Sequence, residues 1–196
     1  MADSLLYTRH DGPTTGAPFL VLHDRNGDLD GASTLGQLLG EQFQRISVRG
    51  PRLQTTGGSG KTHGYYWHIG PQDRPELSTL GDGLYQFELL LLETARRHPG
   101  HKIGVLGEGQ GGVIALLTAL LWPEHLSAVI AVDAVLPSNL GDMPIEPRPL
   151  DGLPVLVSGK DGHKTCSLLA ERGARATTTT SPPQPAIVAD FLRRIG

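Results

Sequence analysis

Short apolar runs alternate along the chain with longer segments in which apolar residues recur every three or four positions. The short runs are typical of buried strands and the longer segments of amphipathic helices. The pattern predicts strands at Phe19–Leu22, Arg45–Val48, Ile103–Leu106, Ser127–Val132, Pro154–Val157 and Ala176–Thr180. It predicts helices at Thr34–Phe43, Leu80–Arg97, Val113–Trp122, near Thr165–Arg172 and at Ile187–Ile195.

This alternation predicts an α/β fold with a mostly parallel, doubly wound sheet flanked by helices on both faces. We expect a single domain over residues 1–196, because that length is usual for one domain. Ligands of such sheets bind beyond the carboxyl ends of the strands. Functional residues are therefore expected in the loops that follow Leu22, Val48, Leu106, Val132 and Val157.

Two segments rich in Gly and Pro interrupt the pattern, residues 50–76 and 134–152. The first contains an aromatic run, Tyr65–Trp67, followed by His68. Long loops in compact domains often serve as lids or binding loops. We expect a lid and a rim here, and the alternative is that both segments are plain surface connections.

Composition narrows the function classes. The chain has 17 basic and 20 acidic residues and a formal charge of −3, so no nucleic-acid partner is expected. Its one cysteine, Cys166, excludes an internal disulfide and a cysteine-rich zinc site, and we expect neither a metal nor a cofactor.

The N-terminus lacks a signal-peptide pattern, and the apolar stretches fall short of the ~20 residues of a membrane span. A cytoplasmic protein without a membrane partner is expected.

The segment Gly104–Gly112 links a predicted strand to a predicted helix and has the form of a nucleophile elbow, G-x-S-x-G. The flanking glycines allow a sharp turn, and the residue after the nucleophile presents its N–H to a developing oxyanion. The central position is Gly109, which has no side chain. No nucleophile can therefore be supplied from the elbow.

The chain resembles the carboxylesterase/phospholipase branch of the α/β-hydrolases, close to acyl-protein thioesterases and dienelactone-hydrolase-like esterases. Val105–Gly112 resembles that branch's L-G-F-S-Q-G-G, and Val21–Asp28 resembles its oxyanion loop L-H-G-x-G-G-D with Asp24 for a glycine. Pro154–Gly162 is similar to P-V-L-x-x-H-G-x-x-D. The resemblance implies a small, essentially capless α/β-hydrolase domain.

The same resemblance implies a degenerate catalytic triad. Its three positions correspond to Gly109, to Gly162 (or Asp161, one residue early) and to Gln184, which follows two prolines where the family has P-G-G-H. No histidine follows His163. Acyl transfer needs a hydroxyl or thiol held against a base. A conventional serine hydrolase is therefore not expected.

Other side chains are candidates for general acid–base catalysis: His23, Asp24, Asp161 and His163. His23 and Asp24 lie on the predicted oxyanion loop, and Asp161 and His163 follow a strand end. The alternatives are structural: a loop histidine bonded to backbone for His23, an Asx-turn residue for Asp24, and a solvated side chain for His163.

The backbone N–H groups that would form an oxyanion hole are expected to be retained. The N–H groups of Arg25 and Gln110 are predicted to point at one spot, the latter at a helix N-terminus. The expected pocket is completed by Tyr66, Trp67, His68, Glu108, Gly109, Leu136 and Gln184.

Three hypotheses for function follow. The first is cofactor-free, non-covalent chemistry (a cyclase, lyase or isomerase) on a small carbonyl-containing ligand, in a setting such as secondary metabolism. The second is a catalytically dead binding or regulatory protein. The third is weak hydrolysis by activated water. A small-molecule ligand is the expected partner, and a homodimer is left open.

A further motif, Thr55–Thr62, ends like a phosphate-binding P-loop. The strand before it and the apolar helix after it are missing from the pattern, so a surface loop is expected instead.

Overall fold

A computed structural model describes residues 4–57, 60–180 and 183–194. Within these residues the main sheet has seven strands in the order β1-β3-β2-β6-β7-β8-β9, and a two-stranded hairpin, β4–β5, stands beside it. The strands are β1 Thr8–Asp11, β2 Pro18–Leu22, β3 Gln44–Val48, β4 Arg52–Thr55, β5 Thr62–Tyr66, β6 Ile103–Glu108, β7 Leu126–Val132, β8 Pro154–Ser158 and β9 Arg175–Thr179.

The helices cover both faces of the sheet. They are α1 Leu29–Gly36, α2 Leu77–Arg97, α3 Gln110–Leu121, α4 Gly162–Ala170 and α5 Pro185–Arg193. Buried residues of α2, α3 and α4 belong to one apolar cluster, and those of α1 and α5 to another. The expected mostly parallel, doubly wound sheet is confirmed: β1 is antiparallel to β3, and the other neighbouring strands of the sheet are parallel.

The first predicted helix is wrong in its bounds. It was expected over Thr34–Phe43, but α1 begins at Leu29 and ends at Gly36. The start is set by Asp28, whose carboxylate accepts hydrogen bonds from the N–H groups of Asp30 and Gly31, each at 3.0 Å. Beyond Gly36 the chain continues in turns, and Leu39 is buried there without being helical, with 3% of its surface exposed.

The long helix α2 starts three residues before the predicted position, at a similar cap. Oxygens of the Glu76 carboxylate accept from the N–H groups of Thr79, at 2.8 Å, and Ser78, at 3.0 Å. Hydrogen bonds from the side chain and then the backbone of Thr79, followed by those from Ser78, lower the pKa of Glu76 to about 2. The sequence therefore places a charged cap on the helix that leads away from the 50–76 segment.

The expected loop 50–76 contains the hairpin β4–β5, which the sequence pattern does not predict. Its strands are short and contain no buried residue, and they lack the apolar run that reveals a buried strand. Gly58 and Ser59 of the P-loop-like segment lie outside the described residues, and strand β5, not a helix, follows Lys61. Tyr65 and the loop after β2 exchange two backbone hydrogen bonds of 2.8 Å, through Asn26 and Gly27. The hairpin is thereby attached to the carboxyl edge of the main sheet.

The expected rim, residues 134–152, is irregular apart from a short 3₁₀ turn at Leu140–Asp142. Hydrogen bonds attach it to the segment before α2. The N–H and hydroxyl of Ser138 donate to the carbonyl of Asp73 at 2.8 Å, and the Asn139 amide donates to the carbonyl of Pro75 at 2.9 Å. No helix in the described part of the chain is long and apolar enough to cross a membrane.

Candidate functional site

The turn between β6 and α3 has the sharp geometry of a nucleophile elbow. Gly109 has φ 55° and ψ −118°, a conformation that L side chains adopt only with strain. The chain also approaches itself closely here, because a Cβ on Gly107 would lie 2.3 Å from the carbonyl oxygen of Gly111. The elbow thus retains its backbone form although the central residue has no side chain.

A carboxylate from another loop occupies the space where that side chain would be. A Cβ on Gly109 would lie 1.8 Å from Oδ1 of Asp24 and 2.0 Å from its Cγ. The same Oδ1 accepts a hydrogen bond of 2.8 Å from the backbone N–H of Gln110. Asp24, the residue that stands for a glycine of the oxyanion loop, therefore fills both the nucleophile's space and the expected oxyanion position.

Two further carboxylates lie near Asp24 at the carboxyl edge of the sheet. Glu108 is the last residue of β6, and Asp133 follows β7. Burial raises the pKa of Glu108, and the negative charges of Asp24 and Asp133 raise it further. A carboxyl group with a raised pKa thus lies near the carboxylate of Asp24.

His23 is fully engaged with the backbone. Its Nε2 accepts from the N–H of Gly50 at 2.9 Å, which assigns the proton to Nδ1, and Nδ1 donates to the carbonyl of Asp24 at 2.6 Å. The residue is 2% exposed, and burial is the main cause that lowers its pKa. Both ring nitrogens are occupied, so this geometry supports the structural alternative over a catalytic role.

Gln110 connects the elbow to the segment after the hairpin. Its Oε1 accepts from the backbone N–H of Trp67 at 3.0 Å, and its Nε2 donates to the carbonyl of His68 at 2.8 Å. The indole of Trp67 is fully buried and donates to the carbonyl of His23 at 3.0 Å. Trp67 therefore acts as a buried anchor beneath the site.

His68 is also fully buried, yet its Nε2 has no hydrogen-bond partner within the described residues. Burial chiefly lowers its pKa; the nearby charge of Arg25 lowers it as well, and that of Asp24 opposes the shift. His68 is therefore the candidate histidine with a free ring nitrogen close to the elbow.

The remaining predicted residues are more dispersed. Asp161 and His163 are exposed at the start of α4, Arg25 is exposed after Asp24, and Tyr66 and Leu136 are half-buried. Gln184 directly precedes α5, and its side chain is exposed and makes no cap hydrogen bond. Pro182, the first of the two prolines before it, lies outside the described residues.

Sequence reasoning missed Asp133, Asp73 and Ser158, which line one cavity of about 400 Å³ at the ends of β7 and β8. Asp133 directly follows a buried strand, and this position in the sequence could have identified it as a candidate site residue. Asp73 lies on a loop whose course the pattern does not predict. Within the described residues, no group of three or more His, Cys, Asp or Glu side chains is placed to hold a metal ion.

The two buried histidines predict how stability depends on pH. Because the folded-state pKa values of His23 and His68 lie below the ordinary value, the unfolded chain binds protons first as the pH falls. The free energy of unfolding that they contribute is complete above about pH 6.5. It is lost below that pH, by up to ~1.4 kcal/mol per pH unit for each histidine. Urea unfolding between about pH 7.5 and 5 measures this slope. His68→Gln is expected to flatten it and the exposed-site control His163→Gln to preserve it; equal slopes in both variants would contradict the assignment.

The fold is similar to those of several solved esterases. The carboxylesterase of Bacillus cereus superposes with a TM-score of 0.76 at 15% identity, over 98% of this chain and 95% of that one. The carboxylesterase of Mesorhizobium loti gives 0.75 at 19%, over 98% and 97%, and esterase PE8 gives 0.72 at 20%, over 97% and 99%. No protein-family model matches the sequence, and a comparison with curated proteins gives no significant match. The similarity therefore rests on structure: the chain has the α/β-hydrolase fold.

Proposed function

We propose that this protein catalyses non-covalent acid–base chemistry on a small carbonyl-containing ligand, with the carboxylate of Asp24 as the general base. The observation that carries the proposal is the position of that carboxylate, in the space of the elbow's missing side chain and bonded to the N–H of Gln110. The carboxylate therefore lies where a hydrolase of this fold presents its nucleophile.

The geometry of Asp24 suits a base. Its Oδ1 is held by the backbone N–H of Gln110, while the structure gives Oδ2 no hydrogen bond within the described residues. Oδ2 can take a proton from a carbon next to the ligand's carbonyl group. The electron pair of the broken C–H bond then moves to the carbonyl oxygen and forms an enolate.

The raised pKa of Glu108 supplies the complementary acid. In its protonated form it donates a proton to the developing enolate oxygen and gives an enol. Asp24 then returns its proton to a different carbon of the conjugated enol while the O–H proton goes back to Glu108, which restores the carbonyl and completes an isomerisation. A pair of carboxyl groups in unlike environments is a recurrent arrangement for acid–base catalysis. No covalent intermediate is needed at any step.

Deuterium exchange tests the proposal. Methyl levulinate in D₂O, followed by proton NMR, is expected to exchange its α-protons faster with the protein than without it. Asp24→Asn preserves the acceptor for Gln110 and is expected to lower the catalysed rate by about 100-fold. Asp190→Asn, in a surface ion pair of α5, is the matched control and should leave the rate unchanged.

Two results would overturn the proposal: an exchange rate that Asp24→Asn leaves unaltered, or labelling of the protein by a fluorophosphonate probe, which requires an activated nucleophile. Hydrolysis of the ester that depends on Asp24 but gives no label would instead indicate activation of water, the third hypothesis.

A second candidate function is binding without catalysis. It is favoured by one specific observation, that the N–H of Gln110 is already satisfied by Asp24 and is closed to a ligand oxygen unless Asp24 moves. Absence of any exchange or hydrolysis, together with retained ligand binding, would support this candidate against the first.

A further inference from the structure

The guanidinium group of Arg49 contacts two tyrosine rings directly after the carboxyl end of β3. Its Cζ lies 3.9 Å from the ring centroid of Tyr7 and 4.4 Å from that of Tyr65. Contacts of this kind attract the positive charge to the rings but use none of the N–H donors of the guanidinium in hydrogen bonds. The two rings therefore hold the charged group in place and leave its donors for other partners.

The donors of Arg49 are unpaired and accessible. Within the described residues its side chain forms neither an ion pair nor a hydrogen bond, whereas Arg9, Arg52 and Arg97 are each paired with a carboxylate. Its nitrogens are also absent from the set of buried polar atoms that lack a partner, a set that includes Nε of Arg45. Solvent, and therefore a ligand, can reach the guanidinium of Arg49.

Backbone hydrogen bonds hold both tyrosines beside Arg49. The N–H of Arg49 donates to the carbonyl of Tyr7 at 3.0 Å. Tyr65 exchanges its two hydrogen bonds of 2.8 Å with the loop after β2, through Asn26 and Gly27. The arrangement is therefore formed before a ligand binds, which lowers the entropic cost of binding.

Arg49 also adjoins the loop that carries Asp24. The next residue, Gly50, donates its N–H to Nε2 of His23 at 2.9 Å, and His23 directly precedes Asp24. Burial chiefly lowers the pKa of His23, and the positive charge of Arg49 lowers it further, so that charge lies within electrostatic range of the loop. Arg49 thus stands at the carboxyl edge of the sheet, where ligands bind in folds of this kind.

The surroundings of Arg49 indicate which anion it fits. A single guanidinium matches a carboxylate, because two parallel N–H···O bonds join them. Asp24 and Asp28 act electrostatically on the neighbouring His23, and their negative charges would repel a dianion more strongly than a monoanion. Apolar surface is available beside the charge, since Tyr7 is 64% exposed and Leu53, opposite Tyr65 in the hairpin, is 49% exposed.

We propose that Arg49, together with the rings of Tyr7 and Tyr65, binds the carboxylate of a small organic acid that has an apolar body. The guanidinium pairs with the carboxylate, and the tyrosine rings and Leu53 contact the apolar part of the ligand. The inference goes beyond the proposed function and does not depend on it, because it concerns binding at Arg49 and not the chemistry at Asp24.

Titration of the ¹⁵N-labelled protein with four small compounds at about pH 7 tests the inference. Benzoate is the probe and is ionised at this pH, benzamide is its neutral analogue, acetate lacks the ring, and sulfate is a dianion. We expect benzoate to bind about tenfold more tightly than benzamide or acetate, and more tightly than sulfate. The shifted amide signals should belong to residues 7, 49, 50 and 65.

Two matched pairs of variants separate the site from a general effect of charge or aromatic surface. Arg49→Gln is expected to weaken benzoate binding by about tenfold, and Arg49→Lys, which keeps the charge without the planar fork, by less. Arg96→Gln removes an exposed positive charge from the last turn of α2 and should change nothing at ~0.1 M salt. Tyr7→Ala should weaken binding about threefold, and Tyr85→Ala, at a tyrosine of α2 that is 53% exposed, should not. None of these side chains is buried, so the variants should fold, and their ¹⁵N spectra verify it.

Several results would each overturn the inference: benzamide or acetate binding as tightly as benzoate, tighter binding of sulfate, shifted signals elsewhere, an equal effect of Arg49→Gln and Arg96→Gln, or no binding at all. Because binding is measured without turnover, the outcome is separate from that of the exchange experiment. Benzoate binding at Arg49, with exchange unaffected by Asp24→Asn, would support this site and refute Asp24 as the base. Asp24-dependent exchange without benzoate binding would do the reverse.

Discussion

The Gly109→Ser substitution is expected to lower the free energy of unfolding by about 3–4 kcal/mol, and not to create an esterase. The new Cβ would lie 1.8 Å from Oδ1 of Asp24, so the carboxylate must leave and give up its hydrogen bond to Gln110. The residue would also adopt φ 55°, which costs an L side chain further strain. Urea unfolding measures the loss. A fluorophosphonate probe should not label the variant, because Gln184 stands at the position that the resemblance gives to the histidine base and His68 is fully buried.

A second substitution, at Asp24, should offset part of the stability lost in Gly109→Ser. In the double variant Gly109→Ser with Asp24→Gly the collision is absent, so the double variant should be more stable than Gly109→Ser by about 1–2 kcal/mol. Gly141→Ser is the control, because a Cβ at that position meets nothing within 4 Å and should cost little. If the two substitutions were additive, or if Gly141→Ser were as harmful as Gly109→Ser, the position of the Asp24 carboxylate would have to be revised.

Trp67→Ala is expected to cost about 4 kcal/mol of stability, since it removes the largest fully buried side chain of the fold. The indole packs edge-on against Phe87, with ring centroids 6.2 Å apart, and its N–H satisfies the carbonyl of His23. Truncation leaves a cavity directly beneath the elbow and an unsatisfied carbonyl beside it. Chemical unfolding followed by circular dichroism measures the change.

The other tryptophan provides the comparison. Trp122 is only partly buried at the end of α3, so Trp122→Ala should cost clearly less than Trp67→Ala. A similar or smaller loss at position 67 would be incompatible with its role as the anchor of the site. A Trp67→Phe variant, which keeps the ring packing but removes the N–H, is expected to lie between wild type and Trp67→Ala.

Much of the fold was predictable because it depends on local patterns. The central strands are apolar on both faces, as strands covered by helices must be, and their predicted bounds agree with the structure to within two residues at either end. The strand β1 and the hairpin β4–β5 were not predicted, since none of their residues is buried and they carry no apolar run. The strand β1 also pairs with a strand distant in sequence, with Thr8 opposite Val48. The end of α1 was wrong for a related reason: its apolar stripe continues beyond Gly36, but the chain turns.

For the site, the sequence alone determined that the elbow lies between β6 and α3 and that its central residue, Gly109, has no nucleophile, because glycines that permit a sharp turn can be read in order along the chain. Only the tertiary structure decided what occupies the vacated space. Asp24 lies 86 residues from Gln110 in the chain, yet its carboxylate accepts that residue's N–H, and both nitrogens of the neighbouring His23 are taken by backbone groups. The reason is that a side chain's role depends on which partners fill its hydrogen bonds, and those partners come from loops that meet only when the sheet is assembled.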